Sequence, residues 1–211
     1  MADSRGNPVT RPIVDATLEI IDGPKLLLPT GELVTCGPEM FACDQSSPLV
    51  RKVAPGSYPT CAVAARLPDG TCIPALMALQ LAAAQAESFA PAHTHESLQH
   101  CSGREVPGIS VDLGVVMIAD AALDKACRDL DDPPDLRRHE AVRSGNISEG
   151  AIAGAPIANF VACPTGLGDG LYPIIWGLDS NRQPACLLID FDVIDWGGIP
   201  AGRTVHNPWS A

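Results

Sequence analysis

The chain has 211 residues, with 14 Lys and Arg against 25 Asp and Glu for a formal charge of -11. That length suffices for one domain with a real core and requires no second, while the acidic balance repels phosphate backbones and anionic lipid surfaces and so excludes nucleic acid as the expected partner. No stretch approaches the ~20 apolar residues of a membrane span, and the opening MADSRGNPVTRP has no apolar run of the kind a signal peptide needs; the expectation is a cytoplasmic protein with no membrane partner.

In chain order, Ile13–Ile21 is β-branched with partial alternation and predicts a first strand, closed by Asp22-Gly23-Pro24. Leu26 to Cys36 predicts two short extended pieces around a turn at Pro29 and Gly31. Ser57 to Leu67 predicts a further strand, with Pro68-Asp69-Gly70 as a hairpin-type turn. From Ile73 to Phe89, alanine and leucine favour helix, yet Ala75, Met77, Leu79 and Leu81 alternate; the expectation is a strand running into a helix. Residues 90–107 predict a loop, Gly108–Ala119 one buried strand, and Asp120 a cap for a helix carrying Leu123, Ala126, Cys127 and Leu130. Pro133-Pro134 ends that helix, Asp135–Arg143 predicts a second short one, and Ser144 to Pro156 a connection. Three strands follow, at Ile157–Cys163, Leu171–Trp176 and Ala185–Ile194, the last two joined as a hairpin through Asp179–Arg182.

These elements predict an α+β fold, predominantly antiparallel sheet with one or two short helices, as a single compact domain over 1–211 with an irregular tail over 194–211. Twenty prolines and 19 glycines oppose long helices, and no internal repeat or low-complexity tract is legible, which excludes a solenoid. The 8 cysteines are scattered and form no Cys-x-x-Cys pair, so a zinc ribbon is excluded and reduced, half-buried thiols are expected.

Chemistry concentrates on carboxylates. Gly168-Asp169-Gly170 frees the backbone for close approach and can aim Asp169 at a neighbouring strand, a metal or a ligand, although an ordinary tight turn has the same composition. Alternation along the last strand puts Leu187, Ile189, Phe191 and Val193 on one face and Leu188, Asp190 and Asp192 on the other, with the two acids roughly 7 Å apart. Such a pair faces water, binds a cation or perturbs its own protonation. Asp112 interrupts an apolar strand and must find donors, a cation or an exposed end. Convergence of Asp112, Asp169 and Asp190 would provide general acid–base chemistry or an oxygen-rich metal site.

The ordered set Leu28-Pro-Thr-Gly-Glu-Leu-Val-Thr, Val53-Ala-Pro-Gly-Ser-Tyr-Pro59, Val111-Asp-Leu-Gly, Gly168-Asp-Gly-Leu-Tyr-Pro173 and Leu188-Ile-Asp-Phe191 resembles the bacterial domain-of-unknown-function family 4241, over about Leu28 to Val193. The resemblance implies one compact domain with shared polar positions Tyr58, Asp112, Asp169, Tyr172 and Asp190, and no reaction. Gly37-Pro38 stands where an Asp-Pro pair is expected, and the cysteine-bearing Cys36–Ser47, the histidine loop and the tail depart from the pattern.

That loop, Ala92-His-Thr-His-Glu-Ser-Leu-Gln-His-Cys101, places His93, His95 and His100 at a spacing that can hold Zn or Fe, against the plainer reading of an exposed polar loop. A Gly-x-Ser-x-Gly elbow, a phosphate loop and a dinucleotide fingerprint are all missing, which disfavours ATP and NAD. The leading expectation is therefore a cofactor-independent enzyme of specialised metabolism, a hydrolase, lyase or isomerase. It would act on a small-molecule substrate by proton transfer or hydrolysis, with Asp169 as acid or base, Asp190 and Asp112 tuning it, and Tyr172 or Tyr58 donating to the substrate. Gly168, Gly170 and Trp176 would complete the substrate site. The alternative is a non-catalytic, immunity-type binder whose acidic face and exposed tryptophans, such as Trp176, Trp196 or Trp209, cover a basic protein partner; a third is a metalloenzyme on the histidine loop.

Overall fold

The computed structural model describes residues 16–43, 46–100, 106–155 and 158–194. In these, eleven strands form two antiparallel sheets, connected by three short helices and a 3-10 turn. The larger sheet runs in the order β1 (Thr17–Leu28), β3 (Gly56–Arg66), β4 (Cys72–Gln80), β11 (Pro184–Asp190) and β10 (Gly170–Leu178), with β5 (Ser88–Pro91) and β6 (Gly108–Val111) sharing the far edge of β10. The smaller runs β2 (Leu33–Cys36), β7 (Val115–Asp120), β9 (Phe160–Pro164) and β8 (Ser148–Gly150). The helices are α1 (His95–His100), α2 (Ala121–Arg128) and α3 (Glu140–Arg143). No described helix is long and apolar enough to cross a membrane.

Alternation builds the sandwich. Met77, Leu79, Leu187 and Ile189 from the larger sheet meet Leu33, Val116, Ile118 and Val161 from the smaller in one core. The other face of β7 sends Met117 and Ala119 against Leu123 and Cys127 of α2. Every residue of β7 is buried, which is why its sequence is apolar without alternation; each of its large side chains contributes about 1.5–3 kcal/mol by leaving water.

The structure differs from the sequence reading in several stretches: the loop expected over residues 90–107 contains the end of β5 and α1, and the connection expected over Ser144–Pro156 contains β8. Asp22-Gly23-Pro24 is a bulge inside one long strand, because β1 is an edge where a proline removes no ladder bond and the Pro24 carbonyl instead accepts from Thr60 Oγ1 at 2.6 Å. The helix expected after Leu81 does not form: β4 pairs with both β3 and β11, and the chain crosses irregularly to β5. Gly108–Ala119 is two strands in different sheets, split at Asp112-Leu113-Gly114, where Gly114 takes φ +61°. The face of β11 that bears Asp190 is not a solvated one, since Leu188 and Asp190 are both buried. Residues 13–15 of the first predicted strand, Trp196, Trp209 and the tail from Asp195 lie outside the described residues.

The strand order also reveals an approximate two-fold repeat that the sequence reading missed. β1, β2, β3 and β4 correspond to β6, β7, β10 and β11: β1 pairs β3 as β6 pairs β10, while β4 pairs β11 and β2 pairs β7 across the axis. The last residues of β1 and β6, Leu28 and Val111, face Gly56 and Gly170, each the start of a Gly-x-Tyr-Pro segment. Tyr58 donates its hydroxyl to the Ala54 carbonyl at 2.6 Å and Tyr172 to that of Gly168 at 2.7 Å, the same reach of four residues back. A Cβ on Gly56 or Gly170 would stand 3.2 Å from the tyrosine ring, so both tyrosines fold back over a glycine. Gly31 and Gly114 each follow three residues after their strand with positive φ, and their carbonyls accept from Val53 and Thr165, both at 2.9 Å.

Candidate functional site

The repeat locates a site by where it breaks. In one half β1 packs on β7, β8 and β9, and Asn159 seals that gap, accepting from Leu27 N at 2.8 Å and donating to the Lys25 carbonyl at 2.7 Å. In the other, β2 is the edge of its sheet and only part of its flank is covered, by Leu49, whose N–H donates to the Leu33 carbonyl. There the sandwich opens between β2 and the β6–β10 edge as a cleft of about 600 Å³, a volume suited to a small molecule.

Ala92, Ile109 and Ile174 give the cleft an apolar floor, and Leu171, 66 % exposed, an apolar lip. Its polar wall is hydroxyl-rich: Thr35 from β2, Ser46 from the following loop, Thr94 just before α1, Ser97 within it, and Ser110 from β6. Among the described lining residues Glu96 is the one carboxylate, and none is Lys, Arg or His. Most of these oxygens are committed. Ser97 Oγ accepts from Thr94 N at 2.9 Å and meets His93 Nδ1 at 3.2 Å, fixing the first turn of α1. Ser46 Oγ donates to Asp124 at 2.8 Å. Thr35 Oγ1 differs: the residue is only 8 % exposed and the hydroxyl has no hydrogen-bond partner, a condition that costs about 1–3 kcal/mol when it is left unmet.

Two buried carboxylates hold the walls. Asp120, at the end of β7, caps α2 through Ala122 N and reaches across to Thr30 N, Thr30 Oγ1 and Gly31 N, fixing the turn into β2. Asp124, one turn further along α2, accepts from Ala42 N and Ser46 Oγ, both at 2.8 Å, and pairs with Arg128 at 2.7 Å, drawing the loop after β2 against the helix. That loop carries Met40 and Ser46 to the cleft, beside Cys36 at the end of β2. Burial drives the Cys36 thiol well up, and the Asp124 and Glu39 carboxylates push in the same direction, so this cysteine is a neutral wall group and no nucleophile. The seven described cysteines are all free thiols, five of them buried; Cys101 lies outside the described residues.

The sequence-predicted residues divide into groups. Asp112 and Asp169 are both exposed and both lie at one end of the β6–β10 ladder, each the residue next to its last pair, Val111 with Gly170. They stand one side-chain repeat, about 7 Å, beyond the Ser110–Leu171 rung that lines the cleft. Asp190 is on β11, buried at 7 % exposure, and accepts from Asp192 N at 3.0 Å. Tyr172 is 3 % exposed, packs edge-on against Phe191 with ring centroids 5.5 Å apart, and, together with Thr165 Oγ1 at 2.6 Å, tethers the Gly168 carbonyl. Burial pushes its phenol up, and the nearby Asp192 and Asp169 add to the effect. Burial likewise pushes the Asp192 carboxyl up. Tyr58 serves its own turn, Gly168 and Gly170 shape the Asp169 turn, and Trp176, 3 % exposed, belongs to the core between the sheets. His93 bonds Ser97 and His95 is exposed, while the side chain of His100 lies outside the described residues. Among the described residues no group of three or more His, Cys, Asp and Glu comes together to hold a metal.

The positions of the repeat equivalent to Asp112 and Asp169 are Pro29 and Pro55, so the turn geometry does not require a carboxylate at either place. Asp169→Asn is therefore expected to shift Tm by no more than about 2 °C, as exposed substitutions do. A melting temperature lowered by 6 °C or more would show that the carboxylate holds the turn.

The residues missed by sequence reasoning are Thr35, Ser46, Glu96, Ser97 and Ser110. Nothing in Leu33-Val-Thr-Cys36 separates an orphaned threonine from an ordinary strand threonine; only the histidine loop drew attention to the segment that bears Glu96 and Ser97. Residues 26–189 match the model of the family described as protein of unknown function (DUF4241). No curated protein and no solved structure matches the chain.

Proposed function

This chain belongs to the DUF4241 family, and we propose that it binds a small polar molecule in the cleft between β2 and the β6–β10 edge, with Thr35 as the buried contact. The observation that carries this reading is the Thr35 hydroxyl, enclosed and unpartnered on the wall of a cavity of ligand size. A folded protein keeps such a group at a cost, and a ligand that hydrogen-bonds to it removes that cost on binding. The apolar floor and exposed Leu171 lip supply burial for the rest of the molecule. In this reading the Asp112 and Asp169 carboxylates, one side-chain repeat beyond the Ser110–Leu171 rung, supply the acid–base chemistry for a ligand held there, in a proton transfer or hydrolysis without a cofactor.

Thr35→Val tests the binding step. Valine keeps the shape and removes the orphaned oxygen, so the variant is expected to melt at the same temperature or up to about 4 °C higher, while a ligand-induced rise in Tm seen with the parent protein disappears. A variant that melts several degrees lower, or that keeps the ligand shift, would mean that the hydroxyl is satisfied within the protein.

A further inference from the structure

Resting on the cleft as the binding site, the charge and donor inventory of its walls narrows the ligand class. We infer that the cleft takes a small molecule bearing a primary amine or guanidine, with Glu96 as its ionic partner, and rejects phosphorylated or carboxylated ligands. Among the described residues no Lys, Arg or His lines the cavity, so an anion bound against them would be desolvated without a counter-charge. Arg128, whose partner Asp124 holds the loop after β2, is committed to that carboxylate at 2.7 Å. Every charged group that the lining contributes is instead an acceptor, and the chain as a whole carries -11.

A second observation points the same way. Among the described residues, two buried side-chain atoms lack a hydrogen-bond partner, Thr35 Oγ1 and Glu39 Oε2. They lie four residues apart at the end of β2, and Glu39 directly precedes the wall residue Met40. The other Glu39 oxygen accepts from Asp112 N at 3.3 Å, which ties this carboxylate to the Asp112 turn. A carboxylate oxygen can only accept and a threonine hydroxyl can accept as well as donate, so an ammonium or guanidinium, with three to five donors and the charge to match Glu96, can satisfy such groups. An amine carried by a free metabolite and one carried by a lysine of a basic protein share this chemistry; the enclosed Thr35 and the small volume favour the free molecule.

The test uses the full chain with cadaverine, agmatine, ribitol, succinate and glycerol phosphate as probes, together with a lysine-rich peptide, each followed by thermal shift and calorimetry. Cadaverine or agmatine is expected to bind and to weaken as salt is raised, with Glu96→Gln lowering amine affinity at least tenfold while leaving ribitol within twofold. Thr35→Val is expected to weaken every probe that binds. Succinate or glycerol phosphate binding as well as the amines would overturn the inference, as would amine binding that Glu96→Gln leaves within twofold. Ribitol binding without the amines would overturn it and leave the cleft reading standing; no binding by any small probe would end both. Binding of the peptide alone would replace the free metabolite with a protein partner and likewise overturn it.

Discussion

Asp120→Ala is expected to destabilise the protein by roughly 3–5 kcal/mol and to lower Tm by about 6–20 °C. Asp120 is wholly buried and accepts four hydrogen bonds, from Thr30 N at 2.9 Å, Thr30 Oγ1 at 2.7 Å, Gly31 N at 3.2 Å and Ala122 N at 2.8 Å. Loss of a helix cap alone costs about 1 kcal/mol; here the same carboxylate also fixes the turn joining the larger sheet to the smaller. Truncation leaves the N–H groups of Thr30, Gly31 and Ala122 without an acceptor, and bonds to an ionised group are worth about 1.5–3 kcal/mol each. Because the turn leads directly into β2, ligand affinity at Thr35 should fall as well. Asp120→Asn keeps the shape and one acceptor oxygen and should lose about half as much. Urea titration of both variants decides the matter, and a loss under about 1 kcal/mol for alanine would show that the turn and helix stand without this residue.

How far the fold could be read ahead of the structure follows from which forces are local. The Pro68-Asp69-Gly70 hairpin, the Asp120 cap and the alternation in β11 are written within a few residues of where they act, and each appears in the structure. The helix expected after Leu81 failed for a non-local reason, because its alanine-rich segment follows a strand paired on both sides and its helical propensity has no apolar face left to pack. Gly108–Ala119 reads as one strand because Ile109 and Val111 of β6 and residues 115–119 of β7 are apolar and buried, and only Asp112 and Gly114 mark the change of sheet. The two-fold repeat escaped notice since it survives in sequence as little more than Gly-x-Tyr-Pro and one glycine per half. Of the candidate site, the ladder end with Asp112 and Asp169 was legible as chemistry-bearing residues in turns. The cleft was not: an opening between two sheets, and a hydroxyl left without a partner, are properties of how distant segments fail to meet.

Above about pH 9 the fold is expected to lose stability steeply, through thiols that ionise only on unfolding. Burial pushes Cys61 up to about 12, with Asp22 and Cys186 adding to it, and burial pushes Cys127 and Cys186 each up to about 11. An unfolded thiol titrates near 8.5. Below that value both states are protonated and these groups contribute nothing to the pH dependence. Between about 8.5 and 11 the unfolded chain releases protons that the native state retains, so it binds fewer protons and stability must fall as pH rises, by about 1.4 kcal/mol per thiol per pH unit. Three such thiols give a slope near 4 kcal/mol per unit and a loss of about 6 kcal/mol by pH 10, comparable to the whole stability of an ordinary domain. Cys36 and Cys163, also buried and also pushed up, act in the same direction. Urea unfolding under reducing conditions at pH 7.5, 9 and 10 should show this fall, and a Cys61→Val, Cys186→Ala protein, which removes two of the five raised thiols, should show a slope smaller by about two fifths. Equal stability at pH 7.5 and 10 would mean that these thiols are solvated in the native state, and that the faces of the larger sheet on which Cys61 and Cys186 sit are open to water.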